Sequence, residues 1–223
     1  CAVIFFFAYN WQDMPRLAKF SLVELVICLS AIVYVRHCGD KLINTALLMA
    51  ITVFTGALLA LVGQTYQTGA DPWQLFALWA LFMLPFSLIG RSSIMWIFNI
   101  LLSNLALFLY LEVSQGMFWV LWSTADVFWI IFAFNASLLV VFELQNLYQI
   151  VAQVQHSDNL SLASNRYPQQ LLAIMALWSI SFVAFESLWE GASILEFLAY
   201  TFALTSVLVT YRYLIRDLFI LTL

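Results

Sequence analysis

Charge is what this chain has least of. Only 9% of its 223 residues are Asp, Glu, Lys or Arg, against about 25% in soluble domains. So few charges cannot cover a water-facing surface, which excludes a soluble globular protein. With 65% hydrophobic residues, a disordered chain is excluded as well. Cysteine is scarce too. Cys1, Cys28 and Cys38 are odd in number and scattered, so there is no disulfide scaffold and no Cys/His ligand spacing for a metal. His37 and His156 are isolated and read as loop residues. There is no basic run and the net charge is −4, which argues against a nucleic-acid partner. HExxH, GxSxG, P-loop and paired intramembrane aspartate signatures are all missing, so nothing points to catalysis, and no cofactor is expected.

What is present is apolar sequence in long runs. The mean hydropathy is +0.97. At about 20 apolar residues per span, the chain has room for seven to nine spans. The expected fold class is therefore all-α, a polytopic transmembrane helical bundle. A partial span covers 1–9. Full spans follow at 17–35, 42–63, 73–90, 93–111, 122–144, 169–189 and 193–211, and a second partial span starts near 217. The runs are apolar on every face, unlike the alternating strands of a barrel, and lipid-exposed backbone must close its own hydrogen bonds as helix. Apolar residues at both ends lead us to expect one transmembrane domain over 1–223 that is a piece of a longer protein. A lipidated Cys1 fits poorly, because Val-Ile-Phe-Phe-Phe follows it where a polar tether is usual. No small-residue cleavage site for a signal peptide follows the apolar run either.

Loop signals support this division. Asp71-Pro72 is an N-cap followed by proline at the first helical position, and Gly69 can end the preceding turn. Gly90-Arg91-Ser92-Ser93 makes a very short connection, so the spans on either side form a tight hairpin. The polar stretch 145–168 keeps Leu144, Leu147, Tyr148, Val151 and Val154 at helical spacing. It reads as a cytoplasmic amphipathic extension of the fifth span, followed by a loop over Asn159–Pro168.

Orientation follows from Lys and Arg. Arg36, Lys41, Arg91, Arg166, Arg212 and Arg216 fall on one side, which is expected to be cytoplasmic. Arg16 and Lys19 fall on the other and run against the bias. That other side carries Asp13, Asp71, Glu112, Asp126, Glu186, Glu190 and Glu196. Trp11, Trp73, Trp119, Trp122 and Trp189 lie near its expected boundary, as an interfacial belt would. The expected location is a bacterial inner membrane with acidic loops facing the periplasm.

Candidate sites are few. Glu24 is an ionisable residue deep inside an apolar span, a costly placement that marks functional positions in membranes. It shares a stripe with Ser21, Cys28 and Ala31, which is expected to face the bundle. Either a proton- or cation-binding carboxylate or a paired structural Glu fits. Thr52, Gly56, Ala60 and Gln64 recur every four residues, a small-residue seam for close helix approach. The seam runs into Gln64-Thr65-Tyr66-Gln67, and Asp71 closes the loop. This segment offers many hydrogen bonds but no nucleophile with a base, so it suggests binding or an ordinary capped loop. Asp126 lies on a face with Ala133 and Ser137. Glu186 and Glu190 are four apart on one face and repel; they form an acidic vestibule for a cation or a solvated rim. Asn99, Ser103 and Ala106 make a stripe suited to interhelical hydrogen bonding.

Two segments carry a resemblance. Phe7-Ala8-Tyr9-Asn10-Trp11 with Pro15 and Lys19 is one. Gly63-Gln64-Thr65-Tyr66 through Asp71, with Trp73, Trp79 and Pro85, is the other. Together they resemble a family of bacterial multi-pass inner-membrane proteins known only as a domain of unknown function. The resemblance implies coverage of most of the chain, soluble residues before Cys1 and further helices after Leu223. It implies no activity and transfers no site residues.

Three functions stay in view. The first is a transporter or channel-like protein with an outward-facing site formed by Glu24 and the Gln64–Asp71 loop. The second is a non-catalytic membrane subunit or assembly factor, holding a membrane-protein partner or a second copy through its small-residue seams and its amphipathic 144–156 helix. The third is a membrane enzyme on a lipid-linked substrate, with Asp126 or Glu186 as base. All three are embedded in the lipid bilayer.

Overall fold

The computed structural model describes residues 9, 11, 13–36, 39–67, 69–118, 124–156, 166–190, 194–209 and 211. Among them it contains seven helices and no strand: α1 (Arg16–Arg36), α2 (Lys41–Tyr66), α3 (Pro72–Gly90), α4 (Ser93–Phe118), α5 (Thr124–His156), α6 (Tyr167–Glu190) and α7 (Ile194–Val209). The first six hold stretches long and apolar enough to cross a membrane. Of the seventh full span, expected over 193–211, the described helix is Ile194–Val209, an apolar stretch of 16 residues. The partial spans expected at 1–9 and from 217 fall outside the described residues, Tyr9 excepted.

The helix ends follow local chemistry. Asp40 and Asp71 occupy N-cap positions in extended conformation, and Pro72 stands at the start of α3. Gln67 and Arg91 cap α2 and α3 in the left-handed region, at φ 45° and 42°. That conformation turns the chain and closes the last carbonyls. Only Arg91 and Ser92 separate α3 from α4.

The chain forms two compact units, residues 1–109 and 110–223, with the boundary inside α4. In the first unit α1 packs on α2 and α2 on α3. Its core gathers Leu48, Ile51, Ala80, Met83, Met95 and Leu102, with Ile27, Ala31, Tyr34 and Trp79 packed against them. In the second unit α5 packs on α6 and α6 on α7. The inward face of α6 carries Gln169, Leu172, Ala173, Ala176, Ser179, Ile180 and Val183, all buried. Trp178 and Phe185 on its other face are exposed, as are Leu81 and Leu88 on α3. Such faces suit lipid, which is as apolar as the side chains themselves.

Candidate functional site

The most heavily buried charged constellation among the described residues lies in the second unit. Helices α5 and α6 run antiparallel. Phe128 meets Phe182 with ring centroids 4.0 Å apart. Further along, Leu139 packs on the buried pair Ala173 and Tyr211. The same register sets Glu143, one turn beyond Leu139, opposite Gln169, one turn before Ala173. Glu143 is 8% exposed and Gln169 6%.

Arg166 immediately precedes α6, and its carbonyl accepts the first helical hydrogen bond, from the Gln170 N–H at 3.0 Å. Its guanidinium donates to Glu143 Oε1. The Tyr211 hydroxyl donates to the same oxygen at 3.0 Å, and the guanidinium lies 5.9 Å from the Tyr211 ring centroid. One carboxylate oxygen thus receives a cation and a phenol. The other, Oε2, accepts no hydrogen bond from any described residue, and neither does Gln169 Oε1. The layer therefore combines a neutralised ion pair with two buried acceptors, over a floor of Leu139, Ala173 and Val207. The positive end of α6 further favours a carboxylate there. Chemically the layer is suited to a ligand that donates hydrogen bonds or to a small cation that takes oxygen lone pairs. It holds no nucleophile paired with a base.

The first unit is joined differently. Trp79 on α3 lies flat on Gly56 of α2: a Cβ built at Gly56 would stand 2.2 Å from the indole. The indole N–H donates to the Thr52 carbonyl at 2.8 Å. Asn99 on α4 donates to the Ala80 carbonyl of α3 at 2.8 Å, and Phe98 meets Trp79 edge-on at 5.6 Å. Thr52 is 1% exposed, its hydroxyl turned back to the Met49 carbonyl; Ala60 is half-buried. The Thr52–Gly56 part of the seam therefore receives an indole.

The residues expected to form an outward site are mostly exposed. Glu24 is exposed together with Ser21 and Cys28, while Val23, Ile27, Ala31 and Tyr34 form the packed side of α1. Within the first unit, Ser21, Glu24 and Cys28 thus point away from the side of α1 that packs on α2. Phe20 on α1 and Tyr66 at the end of α2 are 6.3 Å apart, which brings Glu24 and Gln64 to one end of the α1–α2 pair. Gln64, Tyr66, Gln67 and Asp71 are exposed there. Asp126, with Ala133 and Ser137, is exposed on α5; Glu186 is half-buried on α6. The side chains of Glu190 and Glu196 lie outside the described residues. No group of three or more His, Cys, Asp or Glu arranged for a metal occurs among the described residues.

Sequence reasoning missed Glu143. The signal was present as a single acid in the run Val140-Val141-Phe142-Glu143-Leu144. Its partners, 23 and 68 residues away in sequence, could not be read from spacing.

Residues 1–96 match a family described as "Predicted membrane protein (DUF2157)". The match covers the segments that carried the resemblance but stops inside α4, short of most of the chain. No curated protein and no solved structure matches.

Proposed function

Proceeding from a membrane protein with several spanning helices, we propose that it moves or gates a small ion or polar solute, with Glu143 at the centre of its binding layer. One observation carries the reading. A carboxylate 8% exposed has one oxygen held by Arg166 and Tyr211 and the other free of hydrogen bonds from any described residue. Ionisable groups within a membrane bundle are costly and mark ion and substrate paths. Gln169 adds a second acceptor in the same layer. Proton, ammonium and small alkali cations are the matching solutes. In this reading Asp126, near the start of α5, and Glu186, near the end of α6, form the approach, because they lie at the far end of that antiparallel pair from Glu143.

The test is flux. The full chain is reconstituted in vesicles, and collapse of H+, ammonium, Na+ and K+ gradients is followed with dyes. At least one gradient should collapse faster than in empty vesicles, and Glu143→Gln should remove the excess. Wild-type flux equal to empty vesicles for all four, or unchanged flux in a folded Glu143→Gln protein, overturns the reading.

A further inference from the structure

A cavity of about 240 Å³ opens at the end of the first unit where α1 finishes, α2 begins and α3 finishes. Lys41, Tyr34, Asn44 and Thr45 give it a polar mouth; Leu48 and Ile89 give it an apolar wall. Leu48 is 2% exposed and belongs to the core, whereas Ile89 is 60% exposed on the outer side of α3. The wall therefore leads from the polar mouth to the surface that meets lipid chains. Three cations gather at this end: Arg36 in the last turn of α1, Lys41 in the first turn of α2 and Arg91 just after α3. All are exposed, and Asp40 is the one acid near them among the described residues. Asn44 Oδ1, in the lining, is buried and accepts no hydrogen bond from any described residue.

We infer that this cavity holds the headgroup of an anionic phospholipid of the phosphatidylglycerol type. Three features select that class. The net positive rim takes a phosphate that carries net negative charge, where a zwitterionic headgroup would add its own cation. The buried Asn44 oxygen needs a donor, which a phosphodiester lacks and a glycerol hydroxyl supplies. The Leu48–Ile89 wall accepts the start of the acyl chains, which free phosphate lacks. Basic pockets between spanning helices on the cytoplasmic face bind anionic headgroups in general, and the basic bias of this chain assigns this end to that face. The site is separate from the Glu143 layer and does not depend on it.

The experiment is native mass spectrometry of the detergent-purified full chain with added lipid. Phosphatidylglycerol should be retained over phosphatidylcholine by about a hundredfold, from three basic residues at their ordinary contribution near an anionic lipid. Arg36→Gln/Lys41→Gln/Arg91→Gln should lose most of that preference, while Arg16→Gln/Lys19→Gln, the same kind of loss at the other end, should keep it. Asn44→Ala should weaken phosphatidylglycerol but not phosphatidylmethanol, an anionic phosphodiester lipid with no headgroup hydroxyl. Circular dichroism confirms that each variant is folded, and Lys41→Gln alone should show a partial loss if the triple variant does not fold. Equal retention of both lipids by the wild type, equal loss in the two charge variants, or full displacement by inorganic phosphate overturns the proposal.

Discussion

Residues 1–109 and residues 110–223 both pack apolar helices, yet their contacts differ in kind. In the first unit the buried polar groups are hydroxyls and amides: Thr52, Ser87, Ser92 and Asn99. Thr52 and Ser87 bond to carbonyls of their own helix, whereas the Trp79 indole and the Asn99 amide cross to a neighbouring one. Shape does the rest, with an indole seated where Gly56 has no side chain. In the second unit Asn135 and Ser179 likewise bond to their own helices, but an ionic contact is added, Arg166 to Glu143, which ties the start of α6 to α5 and to Tyr211 beyond α7. Lipid supplies no hydrophobic drive between helices, so association rests on close packing and on polar contacts. Each unit leans on one of these two.

The largest expected effects come from breaking the ionic contact on one side. Arg166→Leu takes the cation from the buried Glu143 carboxylate and should cost about 3–5 kcal/mol, and Glu143→Leu, which leaves the half-buried Arg166, should cost less. Replacing both by Leu should cost far less than the two single losses combined. Unfolding of all three variants in a mixed-micelle denaturant titration gives the coupling, and purely additive losses would show that the pair is not ionic in its effect. Next is Gly56→Ala, which drives a methyl into Trp79 and should cost about 1–3 kcal/mol. Combining it with Trp79→Leu should recover part of that loss in the same titration; no recovery would remove the interlock as the cause. Trp79→Phe keeps most of the ring but removes the indole donor to Thr52, for a loss of about 1 kcal/mol. Asn99→Ala, which removes the donor to Ala80, should fall in the same range of about 0.5–1.5 kcal/mol. The smallest effect is expected at Glu24→Gln. Its side chain is exposed, and stability should move by less than about 0.5 kcal/mol. A larger loss would mean that a second molecule covers that face of α1.

Helix positions were legible because bilayer length and backbone hydrogen bonding leave little freedom. The Asp71-Pro72 start and the Gly90–Ser93 break stand where the sequence places them. Facing was harder to read. A soluble helix declares its inner side by apolarity, but α1 has apolar residues on both its packed and its exposed sides. The polar Ser21–Glu24–Cys28 stripe therefore looked inward, while Val23, Ile27 and Ala31 turned out to pack. In the Thr52–Gly56 seam, spacing showed a close approach but not that its occupant would be Trp79, 27 residues from Thr52. The Glu143 layer was hidden for a related reason. Antiparallel register, which no local period encodes, brings α5 against the first turn of α6.

The two-residue join between α3 and α4 has a consequence for how the chain sits in its membrane. Arg91 and Ser92 are all that separates the two spans. A link so short cannot bring the end of one span and the start of the next to opposite faces of a bilayer about 30 Å thick in its core. The end of α3 and the start of α4 therefore lie at the same face of the bilayer, with Arg91 at the crown of the turn. The accessibility of a tag in the turn would report which face that is, and on charge reversal of Arg91 the two crossings would have to answer together.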